Sequence, residues 1–107
     1  YLNDIYYDWV ITERERFDQM YLSALITLAE IYQKQARLEE ALKAYQRAIE
    51  YSPIYETAYC SIMQVYARMQ NRTAVIQTYE ACRLALKKHL SMLPSSETEA
   101  LYKKLIS

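Results

Sequence analysis

The sequence contains no glycine and only two prolines, Pro53 and Pro94, in 107 residues. β-Hairpins and tight turns draw on positive φ, which glycine supplies at least cost. A chain without it favours helices joined by short turns. There is one histidine, His89, and two cysteines, Cys60 and Cys82. That is too few for a zinc ligand set and gives no disulfide framework. The thiols read as reduced and at least half-buried, as in a cytosolic protein. No apolar run approaches the length of a membrane span, so no membrane partner is expected. The 13 Lys and Arg balance the 13 Asp and Glu. A neutral chain lacks the basic footprint of a general nucleic-acid binder, so no direct nucleic-acid contact is expected.

What is present is apolar in 52 % of positions and charged in 24 %, enough for a folded core and too patterned for disorder. Twelve tyrosines stand against one phenylalanine. Tyrosine buries its ring while its hydroxyl stays wet, which suits thin helical layers. The neutral total hides a polarity: residues 1–53 carry 9 acids and 6 bases, residues 54–107 carry 4 acids and 7 bases. That polarity either orients a partner or reflects ordinary solvated faces.

Residues 1–11 read as an ordered lead-in, with Trp9 either packed on the first helix or exposed as a partner anchor. Thr12-Glu13-Arg14-Glu15 has capping-box spacing and predicts a helix start. The spacing of Phe17, Tyr21, Leu25, Leu28 and Tyr32 then carries a helix to about Ala36. Leu38, Ala41, Leu42, Tyr45, Ala48 and Ile49 predict a second helix ending before Ser52-Pro53. Ser52 is expected to cap a third helix, about 54–69, with Pro53 in its first turn. Asn71 is expected in the left-handed conformation of the next turn. Val75, Ile76, Tyr79, Cys82, Leu86 and Leu90 predict a fourth helix. Ser96-Glu97-Thr98-Glu99 opens a fifth.

The second hairpin repeats the first at a constant shift along the chain. Leu28 meets Ile62, Ile31 meets Val65 and Tyr32 meets Tyr66. Ala41 meets Val75, Leu42 meets Ile76, Tyr45 meets Tyr79 and Ala48 meets Cys82. The shift has the length of the tetratricopeptide repeat, a helix-turn-helix unit, and the pattern resembles that repeat. Small residues at Ala41 and Ala48 let helices approach, while Leu28, Tyr32 and Tyr45 fill the space between them. Stacking then buries the remaining apolar edges. The fold expected is all-α: tetratricopeptide-like antiparallel hairpins in a short right-handed superhelical stack, closed by a C-terminal capping helix.

The flanks carry a narrower resemblance. The run Tyr1-Leu2-Asn3-Asp4-Ile5-Tyr6-Tyr7-Asp8-Trp9-Val10, followed by Glu13-Arg14-Glu15-Arg16, is similar to the entry of the bacterial transcriptional activator domain. That is the tetratricopeptide-like domain of antibiotic-regulatory-protein activators. The tail Leu90-Ser91-Met92-Leu93-Pro94-Ser95-Ser96-Glu97-Thr98-Glu99-Ala100-Leu101-Tyr102 is similar to that family's closing segment. The resemblance implies one domain over residues 1–107 of a cytoplasmic bacterial regulator. It implies a non-catalytic role in protein interaction, dimerisation and transcription activation. The implied partners are a DNA-binding domain of the same polypeptide, a second copy, or the transcription machinery. The alternative is a generic tetratricopeptide adaptor unrelated to transcription.

The chain departs from the family where Ala36, Gln70 and Ser91 stand in place of glycines. The chain begins at Tyr1 rather than Met and is read as a piece of a longer protein, lacking the family's first helical hairpin. That absence is expected to open apolar surface at Phe17, Met20 and Tyr21 to self-association.

Projecting tetratricopeptide geometry puts Ser23, Ile26, Glu30, Gln33 and Lys34 on a concave face with Thr57, Cys60, Gln64, Ala67 and Arg68. This face reads as a seat for a peptide or a neighbouring helix, or as a merely solvated groove. Arg83, Lys87 and Lys88 with Lys103 and Lys104 read as one basic end, contacting an acidic partner or complementing helix dipoles. No catalytic, cofactor-binding or metal residue is assigned and no cofactor is expected. His89 has no nucleophile beside it, and Cys60 would serve as one only if His89 approached it.

Overall fold

The computed structural model describes residues 2–107, with side chains from Thr12 onward. Among these, regular structure is entirely helical: α1 (Leu2–Lys34), α2 (Leu38–Tyr51), α3 (Glu56–Arg68), α4 (Arg72–Leu90) and α5 (Ser96–Ile106). Each helix packs on its neighbour in sequence, and α5 packs on both α3 and α4. The stack of two hairpins and a capping helix is the fold the repeat predicts.

The helical turns explain how a chain without glycine reverses direction. Three residues adopt positive φ: Ala36 at 60°, Gln70 at 61° and Ser91 at 53°. They are the three positions where the resemblance puts glycine. The first two close matching C-terminal caps. Arg37 N–H donates to the Tyr32 carbonyl at 2.9 Å and Ala36 N–H to that of Gln33 at 3.0 Å. One repeat later, Asn71 N–H donates to Tyr66 at 2.9 Å and Gln70 N–H to Ala67 at 3.0 Å. This is the Schellman arrangement, in which the residue after the helix turns left-handed to satisfy orphan carbonyls. Asn71 is therefore not the left-handed residue. It caps α4 instead, its side chain accepting from Ala74 N–H at 3.1 Å.

Other boundaries move for identifiable reasons. α1 begins at Leu2 and not at Thr12, because residues 2–11 contain no proline or glycine to stop a helix. Thr12 and Glu15 thus lie inside a helix, and Glu13 pairs with Arg16 at 3.2 Å. The packing of Trp9 lies outside the described side chains. α1 also stops at Lys34, two residues before Ala36. Ser52 ends α2, and its carbonyl accepts from Tyr55 N–H at 3.0 Å. The Pro53 turn is spent there, so α3 starts at Glu56 with no side-chain cap. α5 is capped by Ser95, one residue earlier than expected, its hydroxyl accepting from Thr98 N–H at 3.3 Å.

The core runs between α1, α2 and α3: Leu22, Leu25, Ile26, Ala29, Ala41, Tyr45, Ala48, Ala58, Ile62 and Val65 are buried together. The alanines at 41, 48 and 58 are fully enclosed, small side chains taking up little space between packed helices. Tyr45 fills the hairpin and donates its hydroxyl to the Gln33 side chain at 3.0 Å. A second cluster joins Met63, Val75 and Tyr79 to Leu101, Tyr102 and Leu105 of α5. There Tyr79 and Tyr102 stack with ring centroids 3.9 Å apart.

Candidate functional site

Two surfaces and one buried polar cluster carry the chemistry of the molecule. The cluster fastens α5 to the start of α3. The Glu56 carboxylate accepts from Ser95 N–H at 2.9 Å, from the Ser95 hydroxyl at 2.9 Å, and from the Thr98 hydroxyl. In a capping box the third residue of a helix reaches back to the cap N–H. Here a residue of another helix does so, making the start of α5 a tertiary contact. Burial pushes the Glu56 carboxyl up, but the three donors outweigh it and hold the group below its ordinary range. The Cys60 sulfur lies 3.3 Å from Thr98 Oγ1, completing the chain of contacts. Thr98, almost fully buried, has all its polar needs met within this cluster.

Burial acts on both thiols. Burial raises the Cys60 thiol, the contact with Thr98 offsetting part of the effect. Burial, with the nearby Glu56 and Cys60 charges adding to it, pushes Cys82 up to about 12. Burial thus favours the protonated form of both thiols. Both cysteines are free. Among the described residues no three His, Cys, Asp or Glu side chains converge to hold a metal, and no helix is long and apolar enough to cross a membrane.

The concave-face residues differ in exposure. Glu30, Lys34, Gln64 and Arg68 stand on the helices that would line it. Ile26 instead lies in the core between α1 and its neighbours. Cys60 is half-buried, because α5 reaches across this side of α3 to place Thr98 against it. Gln33 accepts from Tyr45, while its carbonyl accepts from the Arg68 guanidinium at 3.2 Å. Gln33 and Arg68 thereby join the two hairpins. The basic residues also separate. α5 returns along α4, so Tyr102 meets Tyr79 and Leu105 meets the Val75 cluster. Lys103 and Lys104 therefore lie toward the start of α4, while Lys87 and Lys88 lie in its last turn. The single basic end expected from the sequence is two separate groups.

The second surface is the outer face of α1. Phe17 is 65 % exposed and Met20 61 %, with Tyr21 beside them. Leu28 and Ile31, assigned by the repeat to packing positions, are exposed too. α2 ends at Tyr51, whose ring meets Tyr21 edge-on at 4.7 Å and whose hydroxyl donates to Asp18. That carboxylate raises the Tyr51 phenol above its ordinary value. A groove lined by Thr12, Glu15, Arg16, Asp18, Tyr51 and Ser52 lies between this part of α1 and the end of α2. An open groove of about 410 Å³ runs between α1 and α2, lined by Leu25, Leu28, Tyr32, Lys43, Ala44 and Arg47. The exposure of Leu28 and Ile31 is not legible in their spacing, which is the same as that of their buried equivalents. The role of Glu56 has no sequence signal, since its partners lie 39 and 42 residues away.

These features define a helical-repeat scaffold of tetratricopeptide type. The chain matches the bacterial transcriptional activator domain over residues 2–106, and it belongs to that family. That family is one of regulatory, non-catalytic domains, so membership makes the chain a transcriptional activator domain, and the generic-adaptor alternative is not favoured. No curated protein and no solved structure matches the chain.

Proposed function

We propose that this domain is the protein-interaction and dimerisation module of a cytoplasmic bacterial transcriptional activator. It binds protein: a second copy, the DNA-binding domain of its own polypeptide, or the transcription machinery. One observation carries the reading beyond family membership. The outer face of α1 is apolar and open at Phe17, Met20, Tyr21, Leu28 and Ile31. Apolar surface of that extent on a helical scaffold marks an interaction site. Glu30 and Gln64, exposed on α1 and α3, belong to a separate polar surface suited to a peptide or helix of a neighbouring domain.

The test fuses the domain to an unrelated dimerisation-dependent DNA-binding domain and measures reporter transcription in bacteria. Activation well above that of the DNA-binding domain alone is the expected result. Phe17→Asp with Met20→Asp should abolish it while the helical circular-dichroism signal persists. Equal reporter output with and without the domain would overturn the reading.

A further inference from the structure

We propose that the groove between α1 and α2 docks an amphipathic helix of another protein, one with an aliphatic ridge flanked by acids. The inference rests on the protein-interaction reading above and adds the place, the form and the charge of the partner.

The chain carries its own template for this contact. The groove of about 410 Å³ between α1 and α2 has a counterpart of about 260 Å³ one repeat later, between α3 and α4. Leu25, Leu28 and Tyr32 of the first groove answer to Tyr59, Ile62 and Tyr66 of the second. Lys43, Ala44 and Arg47 answer to Gln77, Thr78 and Ala81. What differs is the occupant. The second groove is bordered by Gln46 and Ile49 of α2. Ile49 packs against the clusters that contain Ile62 and Tyr59, and both of those residues are buried. Among the described residues no helix takes the corresponding place over the first groove, and Leu28 in its floor is exposed. A floor built on the same repeat geometry accepts the same element. That element is a helix laid along the groove, with an aliphatic residue in the place of Ile49.

The walls differ in charge, and the difference specifies the partner. In the filled groove the α4 wall is neutral at Ala74, Gln77, Thr78 and Ala81. In the open groove Glu40, Lys43 and Arg47 stand at the matching places on α2, and Glu50 closes one end. Glu40 is taken up by Arg37, whose guanidinium also lies 4.7 Å from the centre of the Tyr32 ring. Lys43 and Arg47 are exposed and make no ion pair among the described residues. Two cations one turn apart therefore stand against one remaining acid, and acids on an incoming helix satisfy them. Solvated charges beside an apolar floor also suit an occupant that arrives by diffusion and leaves again. α2, by contrast, is held covalently over neutral walls. The charged rim is what places the occupant in another protein.

The probe for the test is the α2 segment itself, residues 38–51. It is made as a fluorescent peptide locked helical by a lactam bridge remote from Gln46 and Ile49, because a free helix of that length is marginal in water. By fluorescence anisotropy its Gln46→Glu form should bind the domain at least about threefold tighter than its Gln46→Lys form, the gap closing as salt rises. Lys43→Glu with Arg47→Glu in the domain should reverse that order. Ile49→Asp in the peptide and Leu28→Asp in the domain should each abolish binding. In the reporter fusion, Lys43→Glu with Arg47→Glu should remove most of the activation while the helical circular-dichroism signal persists. Peptides that fail to bind, or that bind alike whatever the charge at position 46, overturn the groove assignment, and so does reporter output unchanged by the charge reversal. In each of these cases activation by the parent domain leaves the wider interaction reading standing. A dimer mass that Leu28→Asp converts to a monomer gives the groove to a second copy and overturns the proposal. Equal reporter output with and without the parent domain overturns the interaction reading and this inference with it.

Discussion

Leu28 and Ile62 occupy the same place in successive hairpins, yet Leu28 is 42 % exposed and Ile62 3 %. Ile31 and Val65 show the same contrast, at 47 % and 0 %. Within each hairpin the equivalences hold: Ala41 and Val75, Tyr45 and Tyr79, and Ala48 and Cys82 are all buried. On the outer face of the first helix it is the first copy that is open, whereas in the second helices Leu42 is 8 % exposed and its equivalent Ile76 37 %. The interior of a hairpin is closed by its own two helices. Its outer face is closed only by whatever stacks on it. The second hairpin has the first above it and α5 below, whereas the first hairpin ends at the open face of α1.

The largest break in this comparison comes at the tyrosines inside the hairpins. Tyr45→Ala should cost about 3–5 kcal/mol in urea unfolding, as for a fully buried aromatic. A loss under about 1 kcal/mol would remove Tyr45 from the core. Next comes the direct contrast. Ile62→Ala should cost about 2–4 kcal/mol, whereas Leu28→Ala should change monomer stability by under about 1 kcal/mol. Equal losses would show that the two faces are equally covered in solution.

The Glu56 contact asks whether the second hairpin owes its closure to α5. Glu56→Gln should cost about 1–2 kcal/mol at neutral pH, by weakening charge-assisted hydrogen bonds to the α5 cap. The folded carboxyl lies below its reference of 4.5. Its stabilisation is therefore complete above that value and is lost as pH falls through the lower, folded one. The parent chain should show this loss on acid titration below about pH 4.5, and Glu56→Gln should show less of it. Identical acid limbs would remove Glu56 from the stabilising set.

The smallest effect is a gain. Ala36→Gly, Gln70→Gly and Ser91→Gly each relieve a left-handed residue, and each should stabilise by about 0.5–1 kcal/mol in thermal unfolding. The gains at 36 and 70 should agree closely, since the two turns share their hydrogen bonds. Unequal values would show that the hairpins differ inside as well as outside.

Much of this is legible in the residues. The absence of glycine, the repeat period and the flanking runs predict the helices, the stack and the family. Ala36, Gln70 and Ser91 stand at glycine positions of the family, and all three turn left-handed. The misplacements have local causes. Capping spacings at Thr12 and Ser96 are real patterns, but one lies in a helix already under way and the other is out-competed by Ser95. The concave face is less legible. Projection from an ideal repeat places Ile26 and Cys60 on it, and neither is open, because one faces the core and the other lies against α5.

The sequence by itself determined what is periodic and local: where helices run, which stripes are apolar, and that the hairpins repeat. These follow from the helical period and the repeat period and need no knowledge of neighbours. Only the tertiary structure decided which stripes are covered and which long-range groups meet. Leu28 and Ile62 are nearly the same chemistry in the same repeat position, and burial depends on the layer above. Glu56 and Ser95 are 39 residues apart, and their contact exists only because α5 folds back across α3.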